Sequence, residues 1–413
     1  MSEKLLPLYF AKNTSAASDL SLELSSKGLR SLMARSDVGF LKLPALDSLW
    51  SSSQVRGGEF RARFKKLVLI GIGGSALGPQ TIDDIFGTGQ MFVLDNLDPV
   101  KIQKLDQVIQ SVGIENVGFV ITSKSGSTLE TVALASIYVE ALSQRGLKIG
   151  QHCLVITEPT QNPLRKWAEK NECVCLDVPL DVGGRYSVLS PVGMLAAAFL
   201  NTEITEWRKG AAAAVQSQEL CVQMAAHCLD SFRRDEWITV SFFYSSVLRN
   251  LGGWWQQLWA ESLAKKLDLK NQRGPRVSTP FCAVGACDQH SLLQQMMEGA
   301  PDKWILFYSI DQYETMGPQI QSPLFSELGY IQGHRLGKIL NTEARATHAG
   351  LLQSGISSTH VVMKDLSEHS IGFYFMHWQM VVAVLGEILN IDAYTQPGVE
   401  LAKRLAKENL VRP

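Results

Sequence analysis

"FVITSKSGSTLET", residues 119–131, decides how the chain is to be read. An apolar run from Val117 to Ile121 empties into Ser123, Lys124, Ser125, Gly126, Ser127 and Thr128, and a helical pattern then begins. A buried strand that opens through a hydroxyl-rich turn into a helix suits an open α/β sheet, whose ligands bind at the carboxyl ends of the strands. The same punctuation recurs around it. "KKLVLIGIGG", "MFVLDN", "HCLVITE" and "CVCLDVP" are short apolar runs bounded by turns, with helical stretches over residues 129–144 and 163–170 between them. That βαβα order predicts a parallel sheet with helices on both faces.

Further along, the apolar helix "PVGMLAAAFL" closes this unit, and polar, alanine-rich segments follow up to His227. A second alternation starts with "WITVSFFY", "PFCAVGA", "KWILFYS" and "THVVMKD", with helical segments at residues 254–270 and 291–297 and two closing helices at 371–389 and 399–408. The expectation is two three-layer αβα domains, at residues 61–205 and 206–413. They share one logic, as a diverged duplication would, although no repeat shows in residue identity. Residues 1–60 read as a helical extension, with "SSSQVRGGEF" as a linker. No low-complexity segment separates the halves, which predicts that they pack tightly.

Composition bounds the partners. In 413 residues, 46% hydrophobic and 19% charged with a formal net charge of -1, there is no basic run to meet nucleic acid or an anionic membrane. The expected ligand is a small molecule. The start "MSEKLLPLYFAKNTS" has no charged, then apolar, signal-peptide pattern, and no window approaches 18 uninterrupted apolar residues. Seven cysteines without CxxC pairing read as reduced thiols of a cytoplasmic protein rather than zinc ligands.

Two turns can hold an anion. "VLIGIGGSALGP" places Gly71, Gly73, Gly74 and Ser75 between a strand and a helix, where bare N–H groups and the helix dipole favour negative charge. Gly71-x-Gly73-x-x-Ala76, with Asp95 closing the next strand, also fits a dinucleotide fingerprint, so an NAD-dependent dehydrogenase is a rival reading. The hydroxyl cluster favours a phosphate monoester instead, since its side chains and the N–H groups of a new helix can surround one from several sides. The plain alternative is a capping box, which "STLE" at Ser127 to Glu130 satisfies; capping explains one hydroxyl but not four.

Other residues can move protons. In "GGRYS", Arg185 follows two glycines at a strand's end, where its guanidinium can face oxygens that gain charge. In "NLGGWWQQLWAESLAKK", Glu261 falls among Trp254, Trp255 and Trp259; desolvation there would raise its pKa toward that of a general base. The alternative puts Glu261 on a solvated stripe, paired with Lys265 one turn on. His290 in "CDQHS" stands past a strand's carboxyl end, and "YTQPGVELAKRLAK" offers Gln396 and Lys403. Singly, each also reads as an ordinary loop or surface residue.

In this order, "GIGGSALGP", "SKSGSTLET", "GGRYS", "AESLAKK", "DQHS" and "QPGVELAK" resemble the phosphoglucose isomerase family over about residues 67–407. The resemblance implies two sugar-isomerase-type (SIS) domains and the interconversion of glucose 6-phosphate and fructose 6-phosphate without metal or organic cofactor. It also implies the roles. Ser123, Ser125, Thr128 and the backbone of Lys124 would hold the phosphate, while Gly74 and Ser75 line the sugar site. Glu261 would be the base between carbons 2 and 1, and Arg185 would stabilise the enediolate oxygens. His290 and Lys403 would assist ring opening, with Gln396 on the substrate and Glu130 orienting the histidine. That histidine would come from the neighbouring subunit, which implies a homodimer. Two positions depart from the family: Thr395 stands where Asn or Asp is usual, and Ala264 where Gly is usual. A non-catalytic sugar-phosphate sensor on SIS domains is the third reading.

Overall fold

A computed structural model describes residues 6–12 and 14–411, so part of the start "MSEKLLPLYFAKNTS" considered above lies outside the described residues. The chain opens with β1 (Leu8–Phe10), α1 (Asp19–Ala34) and α2 (Asp47–Arg63). The first alternation runs β2 (Lys66–Ile70), α3 (Leu77–Phe86), β3 (Met91–Leu94), α4 (Pro99–Val112), β4 (Val117–Thr122), α5 (Leu129–Gln144), the short α6 (Ile149–His152), β5 (Cys153–Thr157), α7 (Pro163–Lys170) and β6 (Val174–Asp177). Helices α8 (Pro191–Phe199), α9 (Ile204–Gln216) and α10 (Gln218–Arg233) lead to β7 (Ile238–Phe243), α11 (Arg249–Leu263), β8 (Thr279–Val284), α12 (Gln289–Glu298), β9 (Lys303–Ile310), α13 (Leu336–Gln353), β10 (Ser358–Met363), α14 (Glu368–Ile388) and α15 (Glu400–Val411).

The apolar runs become strands because each is buried on both faces. In β2, Leu67 and Leu69 enter the large core shared with the second half, while Val68 and Ile70 join a separate core under α4, α5 and α7. Their alternation is that of a strand covered on both sides. The first sheet has the order β3-β2-β4-β5-β6 and is parallel throughout. The second has the order β1-β10-β9-β7-β8. Within it β8-β7-β9-β10 repeats the path of β3-β2-β4-β5, so the two halves share a strand order that residue identity does not display.

Two expectations about the N-terminal region need correction. The segment "SSSQVRGGEF" is no linker; residues 51–60 lie inside α2. Gly57 is there because α2 crosses α8 closely: a methyl group at Gly57 would come within 2.8 Å of the Leu195 carbonyl oxygen. Nor is the region wholly helical, since β1 pairs antiparallel with β10, Tyr9 opposite Val362, and closes one edge of the second sheet.

The halves pack tightly, as their lack of a linker predicts. One core cluster runs from Leu67 and Val120 of the first sheet to Leu306 and Tyr308 of the second, through α8, α9, α11 and α14. In α14 every residue from 370 to 386 is buried. This helix is long and apolar enough to cross a bilayer, but here it is the central rod of the core. Burying a Phe or Leu fully stabilises by roughly 1.5–3 kcal/mol, so a helix apolar all round belongs inside. The outer face of the second sheet carries a buried histidine pair. His360 Nε2 lies 2.8 Å from Ser309 Oγ, His348 Nδ1 lies 2.9 Å from Ser358 Oγ, and the two rings are 5.4 Å apart.

Candidate functional site

In the first sheet β2 comes first in the chain, β3 goes to one side of it and β4 to the other. The carboxyl ends of β2 and β4 therefore flank a topological switch point, where ligands of open α/β sheets bind. Both Gly-rich and hydroxyl-rich turns open there.

The hydroxyl turn is closed by its own residues. Ser123, buried, shares a hydrogen bond of 2.9 Å with Thr128 across the turn, and its backbone N–H bonds the Ile156 carbonyl on β5. Gly126 takes a left-handed φ of 68° with the Asn162 side chain against it, so a side chain there would be strained and overlapped. Lys124 bridges outward, its Nζ donating to the Leu180 carbonyl at 3.2 Å. The capping box is not made. Thr128, not Ser127, precedes the first turn of α5, and among the described residues no side chain caps that end. The first N–H groups of α5 are thus left for another acceptor, beside exposed Ser125 and Ser127.

The glycine turn is shaped by a protein neighbour. A methyl group at Gly74 would overlap the Gly184 carbonyl and sit 2.8 Å from Arg185 N, so "GIGGS" and "GGRYS" lie backbone to backbone. Gly73, at φ 58°, faces the amide of Gln257. Asp95 accepts from Gln80 Nε2 at 2.6 Å and Lys101 Nζ at 2.5 Å. Gly73 and the carboxylate of the dinucleotide fingerprint are thus already engaged within the chain, which speaks against the dehydrogenase reading.

Arg185 is the hub. Only 3% exposed, it donates through Nε to Ser262 Oγ at 2.7 Å, through Nη1 to Gln396 Oε1 at 2.9 Å, and through Nη2 to the carbonyls of Ala393 at 2.5 Å and Thr395 at 3.3 Å. Nη1 also meets Glu261 Oε2 at 3.5 Å. The guanidinium is a planar fork held on several edges, which fixes its orientation before any ligand arrives. Tyr186 OH supports it by donating to Ser262 Oγ at 3.1 Å.

Glu261 comes to the same point from α11. Its side chain is 33% exposed, which corrects the expectation of a carboxylate walled in by tryptophan. The rings of Trp254, Trp255 and Trp259 instead turn into the core, against Tyr374, Phe375 and Trp378. The carboxylate is oriented by polar neighbours, Arg185 on Oε2 and Gln257, whose Nε2 donates to Oε1 at 3.0 Å. Gln257 went unread in the sequence; its signal was its place one turn before Glu261 on one helix. Its own Oε1 is buried without a hydrogen-bond partner among the described residues.

The remaining candidates fall differently. Gln396 is brought to Arg185, and the Gly74 and Ser75 turn to Gly184. His290 is exposed on the first turn of α12 and makes no side-chain bond with the Arg185 cluster. Half-buried Glu130, in the first turn of α5, makes no side-chain hydrogen bond among the described residues. Lys403 lies on exposed α15, whose neighbour is the turn Pro397–Val399. Between the hydroxyl turn and the Arg185 segment lies a cavity of about 400 Å³, lined by Lys124, Leu180, Gly183, Asp392 and Thr395 among others. Among the described residues no three His, Cys, Asp or Glu side chains are grouped as metal ligands.

The departures from the family motif are accommodated. Ala264 ends α11 at φ −76° and ψ 98°, a conformation that requires no glycine. Thr395 contributes its backbone carbonyl to Arg185, and its hydroxyl bonds Asp392 Oδ2 at 2.9 Å.

Comparison with known proteins bears on this geometry. The family model described as phosphoglucose isomerase matches residues 47–412. A glucose-6-phosphate isomerase from Rubrobacter xylanophilus is 33% identical over 399 residues, covering 91% of this chain and 89% of that one. A crystal structure of a hypothetical protein from Thermus thermophilus superposes with a TM-score of 0.86 at 29% identity, over 95% of each chain. The structure of a glucose-6-phosphate isomerase from Chlamydia trachomatis shares the fold, with a TM-score of 0.75 at 24% identity over 87% of this chain and 73% of that one. More distant phosphosugar isomerases share the SIS-type fold.

Proposed function

The chain belongs to the phosphoglucose isomerase family, and from that premise we propose that it interconverts glucose 6-phosphate and fructose 6-phosphate. The observation that carries the reading is the meeting of Arg185, Glu261 and Gln396 beside the switch-point turns. Aldose–ketose exchange removes a weakly acidic proton next to a carbonyl. It needs a carboxylate base and a fixed cation opposite the developing oxyanion.

Glu261 takes the proton from carbon 2 of the opened sugar as the C–H electron pair shifts into an enediolate. The hydroxyl proton on O2 passes to O1, and Glu261 returns the carbon proton to carbon 1 as the carbonyl re-forms at carbon 2. Arg185 faces the enediolate oxygens, and Gln257 holds the carboxylate in line. Ser123, Ser125, Thr128 and the backbone of Lys124 bind the phosphate, remote from the reacting carbons, so that its binding energy positions them. Gly74 and Ser75 line the sugar, and Gln396 contacts it. Ring opening falls to His290 and Lys403, with Glu130 orienting the imidazole. Because His290 does not join the cluster of its own chain, we assign it to the site of a second copy in a homodimer. The domains are taken as 61–205 and 206–413 behind an N-terminal extension. The seven unpaired cysteines suit the cytoplasm.

A coupled assay tests this directly: purified protein, treated with EDTA, is given fructose 6-phosphate, and glucose 6-phosphate is followed through its dehydrogenase. Turnover is expected. Tight sugar-phosphate binding without turnover would replace the enzyme by the sensor.

A further inference from the structure

Lys265 has no part in the chemistry above, yet it touches both elements that carry it. Helix α11 ends at Leu263, and the carbonyls of a last turn lack helical partners. Lys265 folds back on that end, its Nζ donating to the Glu261 carbonyl at 2.7 Å. The same Nζ donates to the carbonyl of Thr395, 130 residues away. That carbonyl also accepts from Arg185 Nη2, so two cations share one acceptor. Residues 391–396 belong to no helix or strand, and side chains from two distant parts of the chain hold their carbonyls in place.

We propose that Lys265 is a positioning residue whose ammonium fastens residues 393–396 to the carboxyl end of α11, so that Gln396 and Glu261 are held against Arg185 as one unit. The inference deepens the isomerase reading and rests on it for its kinetic consequence. A glutamine carried on an irregular segment has no rigid element of its own to place it, and a displacement of about 1 Å can cost on the order of 100-fold in rate. The cation is what makes the clasp strong, because a hydrogen bond from a charged donor is roughly twice as strong as a neutral one.

The charged groups facing Lys265 are Arg185, Asp392 and Glu261. Burial pushes its ammonium down to about 8, and Arg185 adds to that, while Asp392 and Glu261 oppose it. Above that pH the clasp keeps N–H donors but loses its charge.

The test uses the full chain with Lys265→Met and Lys265→Arg, following kcat and KM for fructose 6-phosphate from about pH 6.5 to 9.5. Lys265→Met is expected to lose about 10-fold or more in kcat with KM changed less than about 3-fold. Lys265→Arg is expected to keep kcat within about 3-fold and to hold it flat to about pH 9.5, where the parent declines from about 8, since a guanidinium does not titrate there. If Lys265→Met does not fold, Lys265→Gln takes its place, with the same expected loss of kcat. Parental kcat in the Met or Gln variant, or no rescue by Arg, overturns the proposal. Hydrogen exchange of the peptide spanning residues 389–399 provides a readout independent of turnover: it should speed up about 10-fold in Lys265→Met and stay parental in Lys265→Arg. If the parent shows no turnover, the isomerase reading fails while exchange still judges the clasp. Unchanged exchange overturns the clasp in either case.

Discussion

The two sheets follow the same path, yet they serve the site in different ways. In the first, the turns after β2, β4 and β6 themselves supply the glycine bed, the hydroxyl ring and Arg185. In the second, the corresponding first strand, β7, leads into α11, and the helix rather than the turn brings Glu261, Gln257 and Lys265 across to Arg185. A repeated topology thus fixes where loops emerge and leaves open which part of each βα unit reaches the ligand. On the proposed reading, binding falls to turns, which present backbone N–H groups, and proton transfer falls to a helix, which holds a carboxylate at a fixed pitch.

If that division holds, the largest effect comes from the second half. Glu261→Gln is expected to abolish exchange of the carbon-2 proton with solvent, a loss on the order of 10³-fold or more in kcat, while fructose 6-phosphate still binds. Exchange at the parental rate would remove Glu261 as the base. Gly74→Ala strikes the seam between the turns, where a methyl group has no room beside Gly184. It is expected to lower kcat about 10- to 100-fold and to shift the thermal midpoint downward by several degrees. An unchanged midpoint would mean that the two turns are not rigidly apposed. In the first half, Ser123→Ala with Thr128→Ala should raise KM for the phosphorylated sugar about 10-fold and leave kcat within a few-fold. A fall in kcat at constant KM would invert the assignment of binding to turns.

The smallest effect concerns stability and belongs to the second sheet. Burial pushes His360 down to about 3, with His348 and Arg345 adding to it, so the folded protein holds the imidazole neutral. Its folded value lies below its unfolded one, so this contribution is complete above about pH 6.5 and is lost as pH falls toward 3. Urea midpoints are expected to drop between about pH 7 and 5 by the equivalent of roughly 1–2 kcal/mol, and His360→Asn should flatten that slope. A slope unchanged in the variant would place the acid sensitivity elsewhere.

Much of this organisation was legible beforehand, and the gaps have physical causes. Strands buried on both faces announce themselves as apolar runs, so β2, β4 and β9 could be read directly. "SSSQVRGGEF" misled because serine and glycine usually mark turns; here Gly57 serves a close helix crossing that only the tertiary partner α8 reveals. Three-residue β1 is too short to show a period, and its partner lies some 350 residues away. Within the site, Arg185 and Glu261 stood out in their motifs. The backbone carbonyls of Ala393 and Thr395 could not, because main-chain acceptors carry no letter code. The wall of tryptophans suggested a dry carboxylate, but neighbours in sequence on a helix point to different sides.

That short first strand has a consequence for how the protein is made. Residues 8–10 are made before every other strand, yet their place beside β10 does not exist until residue 363 has been synthesised. Strand β1 therefore stays without its sheet partner through most of translation, and its pairing with β10 joins the strand made first to the strand made last.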